Sequence, residues 1–251
     1  MFPVIGPHDL KAGKFFNTDE LRLFFDEGKV LLIDKPAGWT SFDVVNKIRF
    51  ACKAKRVGHA GTLDPFATGL LILCTGKATK TIDTFSDLDK VYEAEFVLGK
   101  TTDTLDIEGR ITSEAPVPDL NQSVLQEICN RSIGEIEQIP PQFAAIKING
   151  VPAYKMARKG KTVDIKPRRI TIHAYHVLSY KENILRVMVQ CSKGTYIRAL
   201  ARDLGNELGC GAFVKSLRRL SIGAYFVENS SDVLNMAERI KQALATSTDK
   251  S

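Results

Sequence analysis

The sequence predicts an α+β protein with a mixed, largely antiparallel sheet flanked by helices and loops, and three observations carry that expectation. Lys90 to Leu98 alternates, with Tyr92, Ala94, Phe96 and Leu98 on one face and Glu93 and Glu95 on the other, the pattern of a half-buried strand. Ile197, Leu200, Ala201, Leu204 and Leu208 keep the spacing of a helix with one apolar face, up to Gly209. Strands and helices do not alternate strictly and hairpin signals outnumber crossover units, which favours α+β over a doubly wound parallel sheet.

Taken in chain order, Val30 to Asp34 reads as a short buried strand, followed by the turn Lys35-Pro36-Ala37-Gly38. Thr40 with Asp43 three residues on is a capping signal and starts a helix at about Ser41. Asp119 is expected to cap a helix carrying Leu120, Val124, Leu125 and Ile128, which Gly134 ends before Pro140-Pro141. Asn149-Gly150 between Ile148 and Val151 signals a hairpin. Strands follow at about Arg168 to Tyr180, Ile184 to Cys191 and Ser216 to Val227, and a last helix carries Val233, Ala237, Ile240 and Leu244. No repeat or flexible linker divides the chain.

Composition limits the function classes. With 44% apolar and 25% charged residues the chain is neither fibrous nor disordered, and its longest apolar runs, such as Gly69 to Cys74, are far too short to span a membrane. The opening Met1 to Gly13 lacks the features of a secretory signal. The five cysteines show no C-x-x-C, so neither a disulfide framework nor a zinc site is expected and a cytoplasmic location is. His173 and His176, on the alternating run Arg169 to Tyr180, are expected to point to opposite faces of a strand and so not to share a metal.

The formal net charge of +6 is unevenly spread. Residues 145 to 170 hold eight basic side chains, Lys147, Lys155, Arg158, Lys159, Lys161, Lys166, Arg168 and Arg169, against Asp164 alone, whereas residues 100 to 140 hold eight acids against three bases. A polyanion would meet one side of such a molecule, although a solvated basic face reads the same way.

The densest constellation is Gly58-His59-Ala60-Gly61-Thr62-Leu63-Asp64-Pro65, continuing to Leu71. Its glycines and proline describe a shaped loop rather than a helix. A carboxylate on a stiff loop leading into a buried strand is well placed for chemistry, while an Asp before Pro is also an ordinary turn former.

The string G-H-x-G-x-L-D-P resembles the signature of the TruB family of pseudouridine synthases. Further blocks agree in order: Lys35-Pro36-x-Gly38-x-Thr40-Ser41, Tyr92 followed by Gly99-Lys100-Thr101-Thr102-Asp103-Thr104, and Pro140-Pro141-x-Phe143-x-Ala145-x-Lys147 with Tyr154 and Ala157-Arg158. Lys193-Gly194-Thr195-Tyr196-Ile197-Arg198 and Leu217-Arg218-Arg219 complete the set, which spans about Val30 to Tyr225. The resemblance implies the pseudouridine synthase fold with a thumb-like insertion at about 140–167, inside a catalytic domain at 30–227. Residues 1–29 form an extension without an assigned task. The 24 residues after Val227 suffice for one helix rather than a full RNA-binding PUA domain.

It also implies a reaction: isomerisation of uridine to pseudouridine at position 55 of the tRNA T-loop, without metal or organic cofactor. The bond from ribose C1′ to uracil N1 breaks, the base turns, and C5 rejoins. Asp64 is the implied catalytic carboxylate, attacking C1′ or assisting proton removal at the sugar. Arg198 is its implied ionic partner and Tyr196 the group that moves a proton at C5. Tyr92 stacks on the base, Leu217 walls the pocket, His59 enters the RNA loop vacated by flipped bases, and Lys35 is a pocket or backbone contact. The basic residues Lys147, Lys155, Arg158, Lys159, Lys161, Arg168 and Arg169 are expected on the RNA backbone of the T-arm. The enzyme is expected to be a monomer with no protein partner and no membrane attachment. The rival readings are a ribosomal RNA pseudouridine synthase, as in the dyskerin branch, and a tRNA-folding chaperone.

Overall fold

The computed structural model describes residues 2–144, 147–148, 151–152, 156 and 163–244. They fall into two compact units, Met1–Leu88 with Arg218–Ser251 and Asp89–Leu217.

The first unit opens with strand β1 (Val4–Ile5) and helix α1 (Thr18–Asp26), whose N-cap Asn17 accepts from the Glu20 amide. Strand β2 (Val30–Lys35) follows, buried except at Asp34, as its apolar run requires. Helix α2 (Ser41–Cys52) starts at the expected capping box, Thr40 and Asp43 bonding each other's amides at 2.8 and 3.1 Å. The Thr40 hydroxyl, donating to the Asp43 carboxylate at 2.7 Å, and then the Thr40 amide hold that carboxyl below its ordinary range. Strands β3 (Val57–Ala60) and β4 (Thr68–Thr75) and the short helix α3 (Ile82–Ser86) complete the first half.

The second unit begins with β5 (Lys90–Leu98), whose strict alternation of buried and half-buried residues is the one expected. Strands β6 (Lys100–Thr102) and β7 (Ile111–Glu114) form a separate ribbon. Helix α4 (Gln122–Asn130) is capped by Asn121, which accepts from Val124, and not by Asp119. Nor does Gly134 end it. At φ +108° that glycine opens strand β8 (Gly134–Gln138), a short, acidic element the sequence reading lacked. Strands β9 (Lys147–Ile148) and β10 (Val151–Pro152) pair antiparallel on either side of Asn149-Gly150, as a hairpin does.

The long pair β11 (Arg168–Lys181) and β12 (Ile184–Cys191) is antiparallel, β12 lies against β5, and β11 against β8. A register shift between Ile172 and Ala174 moves burial from Ile172 to Tyr175 and Val177. His173 and His176 are therefore both exposed and not on opposite faces, because the bulge breaks the two-residue period. Helix α5 (Ile197–Glu207) buries Leu200, Ala201 and Leu204.

Strand β13 (Ala212–Ile222) starts four residues earlier than expected and carries the chain back to the first unit. There Arg218 and Arg219 pair in parallel with Thr68 and Gly69 of β4. Gly69, at φ +104°, is required, since a Cβ would run into the Arg219 main chain. Strands β14 (Tyr225–Phe226) and β15 (Ser231–Asp232) and helix α6 (Val233–Gln242) end the described chain. The sheet of this unit is mixed: β2 is antiparallel to β4 but parallel to β1 and β15.

One core in this unit gathers Ile5, Leu10, Phe15, Leu21 and Phe25 from the first 29 residues with Val44 and Ile48 of α2 and Val233, Met236 and Ile240 of α6. Each such side chain contributes about 1.5–3 kcal/mol by leaving water. Main-chain bonds from Gly13 to Gln242 and from Phe15 to Ala243 fasten the two chain ends together. The extension and the tail thus build the core beneath β2.

Four cysteine thiols, Cys52, Cys74, Cys129 and Cys191, are pushed up by burial to about 11, 11, 12 and 12. They are protonated core residues rather than nucleophiles.

Candidate active site

In the first unit, Asp64 lies in the connection from β3 to β4. The sequence suggests one shaped loop over the twelve residues from Gly58 to Gly69. Val57–Ala60 is instead a strand paired with β4, and the loop proper runs from Gly61 to Ala67. Gly58 serves packing there, because a Cβ would press on Ile82.

The loop main chain is tied down at five residues. Arg219 donates to Gly61 O at 3.0 Å and to Leu70 O at 2.7 Å. The Ser41 hydroxyl accepts from Leu63 N at 3.0 Å and donates to Leu63 O at 3.2 Å. Ala67 N donates to Asp64 O, and Gly38 N to Pro65 O. Lys35 Nζ reaches Pro65 O at 3.1 Å and also Pro36 O at 2.9 Å and Trp39 O at 2.6 Å.

Lys35 and Arg219 are 0% and 1% exposed, so their charges are spent inside the protein on carbonyl oxygens. Hydrogen bonds from a charged donor contribute about 1.5–3 kcal/mol each, which offsets part of the cost of fixing the loop backbone at about 1–2 kcal/mol per residue. Asp64, half-buried on this frame, is held in position before any substrate arrives. Arg218 braces the same region through a two-pronged pair with Asp34 at 2.7 and 3.0 Å.

His59, on β3, is half-buried, and its Nδ1 is enclosed with no partner among the described residues. Burial, and secondarily the Arg219 guanidinium, lower its pKa, so the ring is neutral near pH 7.

The second unit carries the other sequence-selected residues. Tyr92 lies on the buried face of β5 opposite Val189, 8% exposed, and Leu217 on β13 is 7% exposed. Tyr196 precedes α5 as its N-cap residue. Gln138, buried at the end of β8, clamps Tyr196 from both sides, accepting from its N–H at 2.8 Å and donating to its carbonyl at 3.1 Å. The Arg168 guanidinium lies 4.6 Å from the Tyr196 ring centre, a cation–π stack.

Arg198 is a buried cation rather than a surface charge on its helix. Its Nη1 donates to Thr104 O at 2.9 Å and to the Asp106 carboxylate at 3.1 Å, and its Nη2 to Phe143 O at 3.0 Å. Asp106 is itself 3% exposed and accepts from Thr104 Oγ1 and the Glu108 amide.

Of the expected RNA-backbone set, Lys155, Arg158, Lys159 and Lys161 lie outside the described residues, as does the Lys147 side chain. Arg168 is engaged with Tyr196, and Arg169 is exposed and paired with Glu135 at 3.5 Å. Among the described residues no group of three His, Cys, Asp or Glu could hold a metal ion, and no helix is long and apolar enough to cross a membrane. Sequence reasoning assigned no task to Ser41, Asp106, Gln138 or Arg219. Nothing in the mixed run Lys215-Ser216-Leu217-Arg218-Arg219 sets Arg219 apart from a surface cation.

The family model for TruB family pseudouridylate synthase, N-terminal domain, matches residues 49–197, more than half of the chain. The chain belongs to the TruB family. A second model, for the tRNA pseudouridylate synthase B C-terminal domain, matches residues 198–251. Proteins named tRNA pseudouridine synthase B are similar to the TruB chain described here. The one from Endomicrobium trichonymphae is 47% identical over 80% of this chain and 87% of its own length, and the one from Phocaeicola vulgatus 45% identical over 87% and 95%. Among solved structures, a chain in the crystal structure of a Cbf5-Nop10-Gar1 complex superposes with a TM-score of 0.68. The match covers 95% of this chain and 70% of that one at 24% identity, a likeness of fold. The TruB fold is thus the pseudouridine synthase fold that the motif blocks implied.

Proposed function

We propose that this TruB chain isomerises uridine to pseudouridine in tRNA, at position 55 of the T-loop. The observation that carries the reading is the Asp64 frame: one half-buried carboxylate on a loop whose carbonyls and amides are bonded to Ser41, Gly38, Lys35 and Arg219. Hydrolysis of a glycosidic bond needs a second carboxylate to handle water. Isomerisation needs only one, because the released uracil is the acceptor. The names of the relatives, each a tRNA pseudouridine synthase B, support tRNA as the substrate.

Asp64 acts at the ribose, by attack on C1′ or by assisting proton removal, while C1′–N1 breaks and C5 rejoins C1′. The proton leaving C5 passes through Tyr196, whose main chain Gln138 fixes and whose ring Arg168 covers. Tyr92 stacks on uracil and Leu217 closes the pocket beside it. Arg198, buried with Asp106, supplies positive charge to the reaction. The neutral His59 ring suits an apolar wedge that fills the gap left by a flipped base better than a phosphate contact does. Lys35, with no exposed surface, holds the loop rather than the RNA. The basic residues from Lys147 to Arg169 neutralise the T-arm backbone, and the enzyme works as a monomer.

The test is mass-spectrometric detection of pseudouridine in an unmodified T-arm hairpin and in full-length tRNA incubated with the purified chain. Conversion of U55 alone is expected, and conversion of the hairpin is expected to survive excess chelator. A chain that binds tRNA and leaves every uridine unchanged overturns the proposal in favour of a chaperone.

A further inference from the structure

Helix α2 buries Val44, Val45 and Ile48 and turns an unusual face outward. Phe42 and Phe50 are 63% and 68% exposed, large aromatic surfaces of the kind that soluble proteins ordinarily cover. A cleft of about 830 Å³ runs along this face, lined by Trp39, Lys47, Arg49, Phe50, Lys53 and Lys55 among others. Its one acid, Asp43, is committed to capping the helix through Thr40. The four basic side chains thus outnumber the one carboxylate and leave the cleft with a surplus of positive charge. The Lys53 ammonium sits 4.1 Å from the Phe50 ring centre, and Arg49 leans on Asn46, so cations and aromatic surface alternate along the helix.

The face begins at the Asp64 frame. Trp39 offers its carbonyl to Lys35, and Ser41, the first residue of α2, holds Leu63. From Ser41 to Lys53 the helix rises about 18 Å, the span of a few nucleotides.

We propose that this α2 face is a second RNA-binding surface, which takes an unpaired stretch of the substrate RNA beside the arm whose uridine reacts. Bases stack on Phe50 and Trp39 while Lys47, Arg49, Lys53 and Lys55 follow the phosphates, the combination that single-stranded nucleic acid requires. Charge selects this occupant. An apolar protein segment would leave the four cations desolvated, whereas a polyanion neutralises them. The inference rests on the chain acting on RNA but not on which uridine it converts.

The experiment measures binding by fluorescence anisotropy of a blunt T-arm hairpin and of the same hairpin with a six-nucleotide single-stranded extension at its open end. Wild-type protein is compared with Phe50→Ala/Lys53→Ala, two exposed positions outside the catalytic machinery. The extension is expected to tighten wild-type binding by about tenfold, the effect of one stacked base, and the double variant to lose that gain. Conversion of the blunt hairpin is expected to be the same for both proteins, which separates this test from failure of the reaction assignment. No gain from the extension, or an equal gain in the variant, overturns the proposal. A change in sedimentation behaviour of the variant would make the face a contact between copies of the chain and would overturn it too.

Discussion

Replacing Lys35 with Met keeps the aliphatic stem and removes the ammonium, which isolates the charge that holds the Asp64 loop. Three carbonyls lose a donor. Pro65 O keeps the Gly38 amide, while Pro36 O and Trp39 O give up bonds of 2.9 and 2.6 Å from a side chain with no exposure. Each buried carbonyl left without its donor costs about 1–3 kcal/mol, partly offset by no longer burying a cation, so the net loss is about 2–4 kcal/mol. In a chain of this size that lowers Tm by roughly 4–16 °C, read by circular dichroism. Turnover of a T-arm hairpin at saturating RNA should fall at least about tenfold, since small displacements of a catalytic group are costly. RNA affinity should stay within about threefold. A variant with wild-type Tm and weakened RNA binding would refute the reasoning and make Lys35 an RNA contact.

Asp106→Asn puts a neutral amide where the buried Arg198 guanidinium meets a carboxylate at 3.1 Å and should cost about 3–5 kcal/mol in urea denaturation; stability within 0.5 kcal/mol of wild type, on the order of measurement error, would contradict the pairing argument. Arg169→Ala should reduce the salt dependence of RNA binding, by about 0.7–0.9 in log–log slope, without slowing turnover. Arg168→Ala should slow turnover as well, because its guanidinium covers Tyr196, and equal kcat values for the two variants would count against that role. His59 has a folded pKa below its ordinary 6.5, so folding opposes its protonation. The stability this contributes is present above pH 6.5 and is lost as pH falls through the folded value. His59→Phe should flatten the loss of stability on acidification below pH 6.5, and an unchanged profile would mean that the ring titrates freely.

What the sequence made legible was local. The alternation of Lys90–Leu98 and the Thr40–Asp43 capping box are patterns within a few residues, and both appear as expected. The helix before Gly134 was visible too, but Asp119 and Asn121 are both capping residues, and only the bond from Val124 distinguishes them. The register shift after Ile172 leaves no mark in composition, so the face of His176 could not be read.

The motif blocks brought Asp64, Tyr196 and Arg198 to notice. They did not reveal what holds those residues. Lys35 meets Pro65 across 30 residues, Arg198 meets Asp106 across 92, and Arg219 meets Gly61 across 158. Such links exist only after folding. A buried Lys and a buried Arg bonded to carbonyls have the same letters as surface cations, and chain-wide charge counts treat them alike.

Asp64→Asn tests the role of the carboxylate most directly. The substitution keeps the side chain's size and leaves the loop's main-chain bonds in place. A tritium-release or mass-spectrometric assay on a T-arm hairpin is run beside a binding titration with the same protein. Pseudouridine formation should disappear, with the barrier raised by at least several kcal/mol at about 1.4 kcal/mol per tenfold in rate, while affinity stays within roughly tenfold. Substantial pseudouridine from the Asn variant would remove Asp64 from the chemistry. Binding lost in parallel with activity would make it a structural residue.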